Sequence, residues 1–293
     1  IGISVALSVN ASLAESSITN DVLAKISSTT IHTINVGRDL IVLADQKNAK
    51  ITGIEAVSTS VSIGLFSASG GGIGIYNTVD NKGGAAFSGP TLGNVAGDVT
   101  VSGKENAYLE GDAVAVTVAI SLGGAIGAAL VKNEILSDIS SSIVGATVGS
   151  TNTSVLANSV AAIPKTFTAG VAAGLVGATG NRADADIKVS TKAFTQSATL
   201  ISSGTVEIRS TATNTAKAGA YGGALGAIAI GAMIADVTLG LGQDSLGNDI
   251  DEVIAEAGSD TTVIAGALLI SASTTDDLLA ESVAAGGGLV AAT

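Results

Sequence analysis

Four segments of the chain share one pattern: GRDLIVLAD (37–45), AGDVTVSGK (96–104), SGTVEIRST (203–211) and AGALLISAS (265–273). Each places a glycine two or three residues ahead of a short run that alternates apolar and polar. A weaker copy, TSVLANS, occupies 153–159, and the first apolar residues, Leu40, Val99, Val155, Val206 and Leu268, lie 57 residues apart on average. A fixed recurrence of this kind is the mark of stacked units, because one unit cannot cover its own apolar face and its neighbours must do so. A second marker keeps nearly the same period: GGGIGIYN (70–77), GGAIGAAL (123–130), AAGLVGAT (172–179), GGALGAIA (222–229) and GGGLVAAT (286–293). Ile1, Ile73, Ile126, Leu175, Leu225 and Leu289 are taken as equivalent. The chain divides on this basis into approximate repeats 1–38 (partial), 39–97, 98–154, 155–204, 205–266 and 267–293 (partial), with GQDSLGNDIDE (242–252) as an insertion.

The stretch AVAVTVAISLGGAIGAALV, residues 113–131, holds nineteen residues without a charge, the length of a membrane-spanning helix. FTAGVAAGLVGATG (167–180) and AGAYGGALGAIAIGAMIA (218–235) are of the same kind. Period separates helix from strand here. A shift of 53 residues lays Val114, Val116 and Val118 over Val61, Ile63 and Leu65, and alternation of period two is that of a strand with one face in a core. Composition agrees, since apolar content is carried by Val, Ile, Ala and 38 Gly, with four Phe, three Tyr and no Trp to form interfacial belts. No transmembrane segment is expected. A lipid-facing β-barrel also alternates, but it would need aromatic girdles that this chain lacks.

These features predict an all-β chain: a right-handed parallel β-solenoid (β-helix) of about five repeats of roughly 57 residues. Val, Ile and Leu are expected to point inward, small residues to sit at bends, and Thr, Ser and Asn to form outward ladders. A repeat of this size is one broad coil or two or more narrower ones. The face of Ala113, Ala115, Thr117, Ala119 and Ser121 meets either water or another sheet. The start, IGISVALSVN, alternates from its first residue, so the chain is expected to be one continuous array cut from a longer protein.

The GDVTVSG strand, the GGAIGAALVKNEILSDIS arm and the IVGATVGS stretch resemble repeats in the shafts of large bacterial surface adhesins of the filamentous-haemagglutinin and leukotoxin type. The resemblance covers nearly the whole chain as a style of repeat. It implies an extracellular or cell-surface location, export through an outer-membrane partner or the protein's own barrel, and a non-enzymatic structural role in adhesion, cell–cell contact or fibre formation. Implied partners are further copies, end to end or side by side, and a host or neighbouring-cell surface.

The formal charge of −12 repels nucleic acid and leaves divalent cations as the charged partners. Cysteine is absent, which excludes disulfides and thiolate metal sites. The only histidine, His32, would have to serve any Ser-His-Asp triad and reads instead as an outward ladder residue, so no catalytic or cofactor-binding residue is assigned. Asp184 and Asp186 in RADADIK, and Asp249, Asp251 and Glu252 in NDIDE, place alternate carboxylates on one face of a strand. Asp244, Asp249 and Asp251 are the candidate calcium ligands, although their spacing matches no EF-hand. The alternative function is a carbohydrate-binding or carbohydrate-cleaving β-helix, which would show a groove of clustered carboxylates with sugar-stacking aromatics.

Overall fold

In the computed structural model, which describes residues 5–28, 33–89, 91–120, 122–240 and 252–292, every element is a strand. The first five are β1 (Val5–Ser27), β2 (Thr33–Val36), β3 (Leu40–Ile63), β4 (Phe66–Ser88) and β5 (Thr91–Val95). The next five are β6 (Val99–Ile120), β7 (Gly124–Val144), β8 (Thr147–Ser150), β9 (Thr153–Ala173) and β10 (Val176–Gln196). Then follow β11 (Thr199–Leu225), β12 (Ile228–Leu239), β13 (Glu252–Ala257), β14 (Thr262–Gly287) and β15 (Val290–Ala292). No helix among the described residues is long and apolar enough to cross a membrane.

The strands form two parallel sheets. One runs β1-β4-β7-β10-β12-β15, with β13 also on β10; the other runs β2-β5-β8-β11-β9-β6-β3, with β14 on β11. They are called sheet A and sheet B below. The chain passes along sheet B, turns through glycine, returns along sheet A and crosses a second corner into the next coil. The fold is a parallel β-solenoid and not a closed barrel, and each repeat is one broad coil of two long strands.

Register corrects several equivalences drawn from the sequence. Leu40, Val99, Val206 and Leu268 do share one column, but its third member is Thr153; Val155 pairs with Val101 and Ile208. Val57 and Val61, and not Val61 and Leu65, lie beside Val114 and Val118, so the step there is four residues longer than the sequence shift. At the glycine corner Ile126 pairs with Gly70 and Ala178, and Ala178 in turn with Ile230, whereas Ile73 pairs with Ala129.

The larger correction concerns which face points in. Near the second corner the bulky side chains are inside, as expected: Phe87, Val99, Val101, Ile143, Leu200, Val206 and Ile208 are fully buried in one cluster. Toward the glycine corner the pattern reverses. Ala113, Ala115, Thr117 and Ala119 face the opposite sheet, while Val114, Val116 and Val118 point outward and Ile120 is 58% exposed. The coil is a wedge. At its thin end the sheets approach so closely that a Cβ at Gly71 would stand 2.8 Å from Thr117 Cγ2, and one at Gly222 would stand 2.3 Å from Met233 Cε. A large inward residue there, such as Met233, needs a glycine facing it, so most inward positions are small and period two puts the large ones outside.

Inward polar groups join the sheets across the wedge. Gln46 Nε2 donates to Asn81 Oδ1 at 2.7 Å, Asn133 Nδ2 to Thr166 Oγ1 at 2.8 Å, Ser210 Oγ to the Thr191 carbonyl at 2.7 Å, and Ser60 Oγ to Ser8 Oγ at 2.9 Å. At the second corner the recurring motif has a distinct task. Asp39 Oδ1 accepts from the Asp98 amide, Asp98 Oδ1 accepts from the Asn152 amide and side chain, and Asn152 Oδ1 accepts from the Thr205 amide. Each Asx side chain thus satisfies the turn amide of the next coil, which pins the corner register.

Candidate functional site

Bulges are concentrated in one band of sheet B. Four of the six register shifts among the described residues fall here, between Gln46 and Ala49, Ile51 and Ile54, Tyr108 and Glu110, and Ala216 and Ala218. Pro164 lies in the same band, where the Ala162–Lys165 stretch opposes Tyr108–Glu110 and the missing proline amide falls at a ladder break. Gly53 and Asn48 take positive φ of 72° and 59° to make the β3 bulges. A bulge bends its strand and re-aims side chains, so outward groups from successive coils converge here.

Those groups are Lys50, Glu55, Tyr108, Glu110, Asp112, Lys165, Phe167, Lys217, Tyr221 and Glu281. All of them except Lys50 and Tyr108 line two shallow cavities of about 220 and 200 Å³ that meet at Lys165. The Tyr108 hydroxyl donates to Glu110, and Lys165 pairs with Asp112. Lys50 Nζ stands 4.6 Å over the Tyr108 ring, and the rings of Phe167 and Tyr221 are 5.4 Å apart, tilted by 31°. The Tyr221 hydroxyl bonds to Glu281, which holds its pKa above the ordinary value. The band offers ring faces, carboxylate acceptors and ammonium donors side by side, which suits hydroxyl-bearing ligands.

The carboxylates singled out from sequence behave differently. Asp184 and Asp186 do share the outer face of sheet A, but each has its own cation. Arg182 Nε donates to both oxygens of Asp184 at 2.8 Å, and Lys132 lies 3.5 Å from Asp186 and 3.6 Å from Glu134. Lys188 pairs with Glu134 at 2.9 Å. Burial pushes the Asp186 carboxyl above its usual range, with Lys132 pulling the other way. Among the described residues no three such side chains gather as a metal would need. His32, Asp244, Asp249 and Asp251 lie outside the described residues, as does most of the insertion: β12 ends at Leu239 and β13 resumes at Glu252, with twelve residues between them where β10 has two.

Sequence reasoning passed over the Tyr108 band although its parity was readable. Tyr108, Glu110 and Asp112 sit at alternate positions of one strand, the same rule applied to Asp184 and Asp186. What no spacing shows is that Lys165, Phe167 and Tyr221 join them from other coils, because the bulges set that register.

A titratable group is buried inside the wedge. Glu105, on the inner face of β6, is 3% exposed and accepts hydrogen bonds from Ser137 and Ser159. Burial raises its pKa from 4.5 to about 7, against the lowering effect of the bonds from Ser137, Ser159 and Asn81.

Comparison with protein-family models, curated proteins and solved structures finds no match. The geometry alone defines the class: a broad, wedge-shaped parallel β-solenoid carrying an aromatic and acidic band on one outer face.

Proposed function

We propose that the chain is a non-enzymatic structural segment, a stiff shaft or filament unit of a secreted bacterial surface protein. The observation that carries this is the unbroken parallel stacking of both sheets over successive coils, with core columns and an Asx corner ladder running along the axis. In such a stack each coil is held only by its neighbours, so the fold extends by repetition and not by enlarging a globule. Strands of about 23 residues rise about 3.3 Å each, which makes a coil roughly 75 Å wide. Electron microscopy of the purified chain should therefore show flat particles about 75 Å wide, or ribbons of that width when coils stack end to end. Compact isotropic particles would overturn the proposal.

A second reading, glycan binding, is favoured by the bulge band, where Tyr108, Phe167 and Tyr221 stand among Glu110, Asp112, Lys165 and Lys217. Affinity electrophoresis in gels containing soluble polysaccharides should then retard the native chain, and Tyr221→Ala should reduce the retardation. Equal mobility with and without polysaccharide counts against it.

A further inference from the structure

The wedge leaves an unusual outer surface. On sheet A near the glycine corner the outward columns are Leu7–Ala68–Gly124–Val176–Ile228, Val9–Gly70–Ile126–Ala178–Ile230 and Leu13–Gly74–Leu130–Arg182–Ile234. Between the last two runs a column of small residues, Ala11–Gly72–Ala128–Gly180–Ala232. The large members are not edge residues alone. Ile126, in an interior coil, is 63% exposed, and Ile230 and Ile234 are 50% and 52% exposed. Ala128, Leu130, Gly180, Ala232 and Ile234, with Arg182, line a largely apolar groove of about 250 Å³ between the ridges.

We propose that this face docks on the same face of a second copy of the chain, the ridge of Ile126 and Ile230 seating in the partner's Ala128–Gly180–Ala232 groove. Three observations favour a second copy. Ridge and groove lie in adjacent columns, so a twofold axis between them places each ridge in the other groove, the self-complementarity an isologous contact requires. The partner must match flat rows spaced by about 4.8 Å, which another stacked sheet supplies. The area is of the right order: some eight residues by five coils give roughly 630 Å² per copy by strand spacing and rise, against the roughly 800 Å² per partner of a stable complex. Charge does not oppose it: Arg182 is the one charged member of these four columns, and it is already paired with Asp184 at 2.8 Å. The proposal rests on the shaft reading and adds to it a lateral partner.

Sedimentation velocity of the full chain should show dimers. Ala128→Arg, an exposed position whose replacement leaves the wedge interior untouched, should weaken the pair by about a hundredfold through an unpaired interfacial charge, with the β-type circular dichroism retained. Ile126→Ser/Ile230→Ser should act in the same direction, and Val61→Arg on the outer face of sheet B should leave the mass unchanged. A monomeric native chain overturns the proposal, as does an Ala128→Arg variant that still pairs or a Val61→Arg variant that does not. Flotation of a monomeric chain with phosphatidylcholine vesicles would assign the face to lipid instead. Flat but unpaired particles in the microscope would sink the lateral contact and leave the shaft standing, whereas compact globules would sink the shaft.

Discussion

Phe87→Ala is expected to lower stability by about 3–5 kcal/mol, the cost of emptying a large buried aromatic site. Phe87 is fully buried on the inner face of β4, stacked in its column between Ile26 and Ile143 and packed with Val101, Leu200 and Ile208. Both sheets are fixed by their ladders, so the thick end of the wedge cannot collapse to fill the space. The matching substitution at the thin end, Ile126→Ala, removes an outward side chain and should shift stability by less than about 0.5 kcal/mol in the monomer. Urea titrations of the two variants check the pair. Equal losses would mean that the faces are not arranged as the wedge has them.

The second large effect is a pH dependence set by Glu105. Its carboxyl titrates at about 7 in the folded chain against 4.5 as the ordinary value, chiefly because burial disfavours the charged form. The sign follows from linkage: a raised folded pKa gives stability fully present below about 4.5, lost as pH rises through about 7. Above that, burying the ionised carboxylate costs on the order of 3 kcal/mol. Urea midpoints should fall between pH 5 and pH 8, and Glu105→Gln, which keeps the shape and the hydrogen-bonding reach, should flatten that fall and stabilise the chain at pH 8. An unchanged profile in the variant would show that another group governs it.

Period two was legible along most of the chain, because alternation survives in the letters themselves: Val114, Val116 and Val118 against Ala113, Ala115 and Thr117. Alternation names two faces without saying which is inside. Hydropathy chooses the bulky one, and at the thick end it is right, since Val99 and Val101 are buried. At the thin end the spacing between sheets decides, and that spacing depends on inward glycines such as Gly71 and Gly222 meeting the opposite strand. Those glycines were legible only as corner residues. Register was similarly half visible: the glycine-led motif marked the corner, yet Thr153 holds a column otherwise filled by Leu and Val because Asn152 continues the Asp39–Asp98 ladder just before it. The candidate site depended on bulges that shift β9 against β6 by one residue, and nothing local to Lys165 or Phe167 announces that they meet Asp112.

The wide, flat coil has a mechanical consequence. A ribbon roughly 75 Å across and only two sheets thick, with sheets about 10 Å apart, has very unequal second moments of area. It resists flexing within its plane and yields readily out of plane. A bending or shearing load would make such a segment curl like a tape, presenting one broad side to whatever surface it touches, so the side on which the Tyr108–Tyr221 band lies becomes a matter of orientation as much as of chemistry.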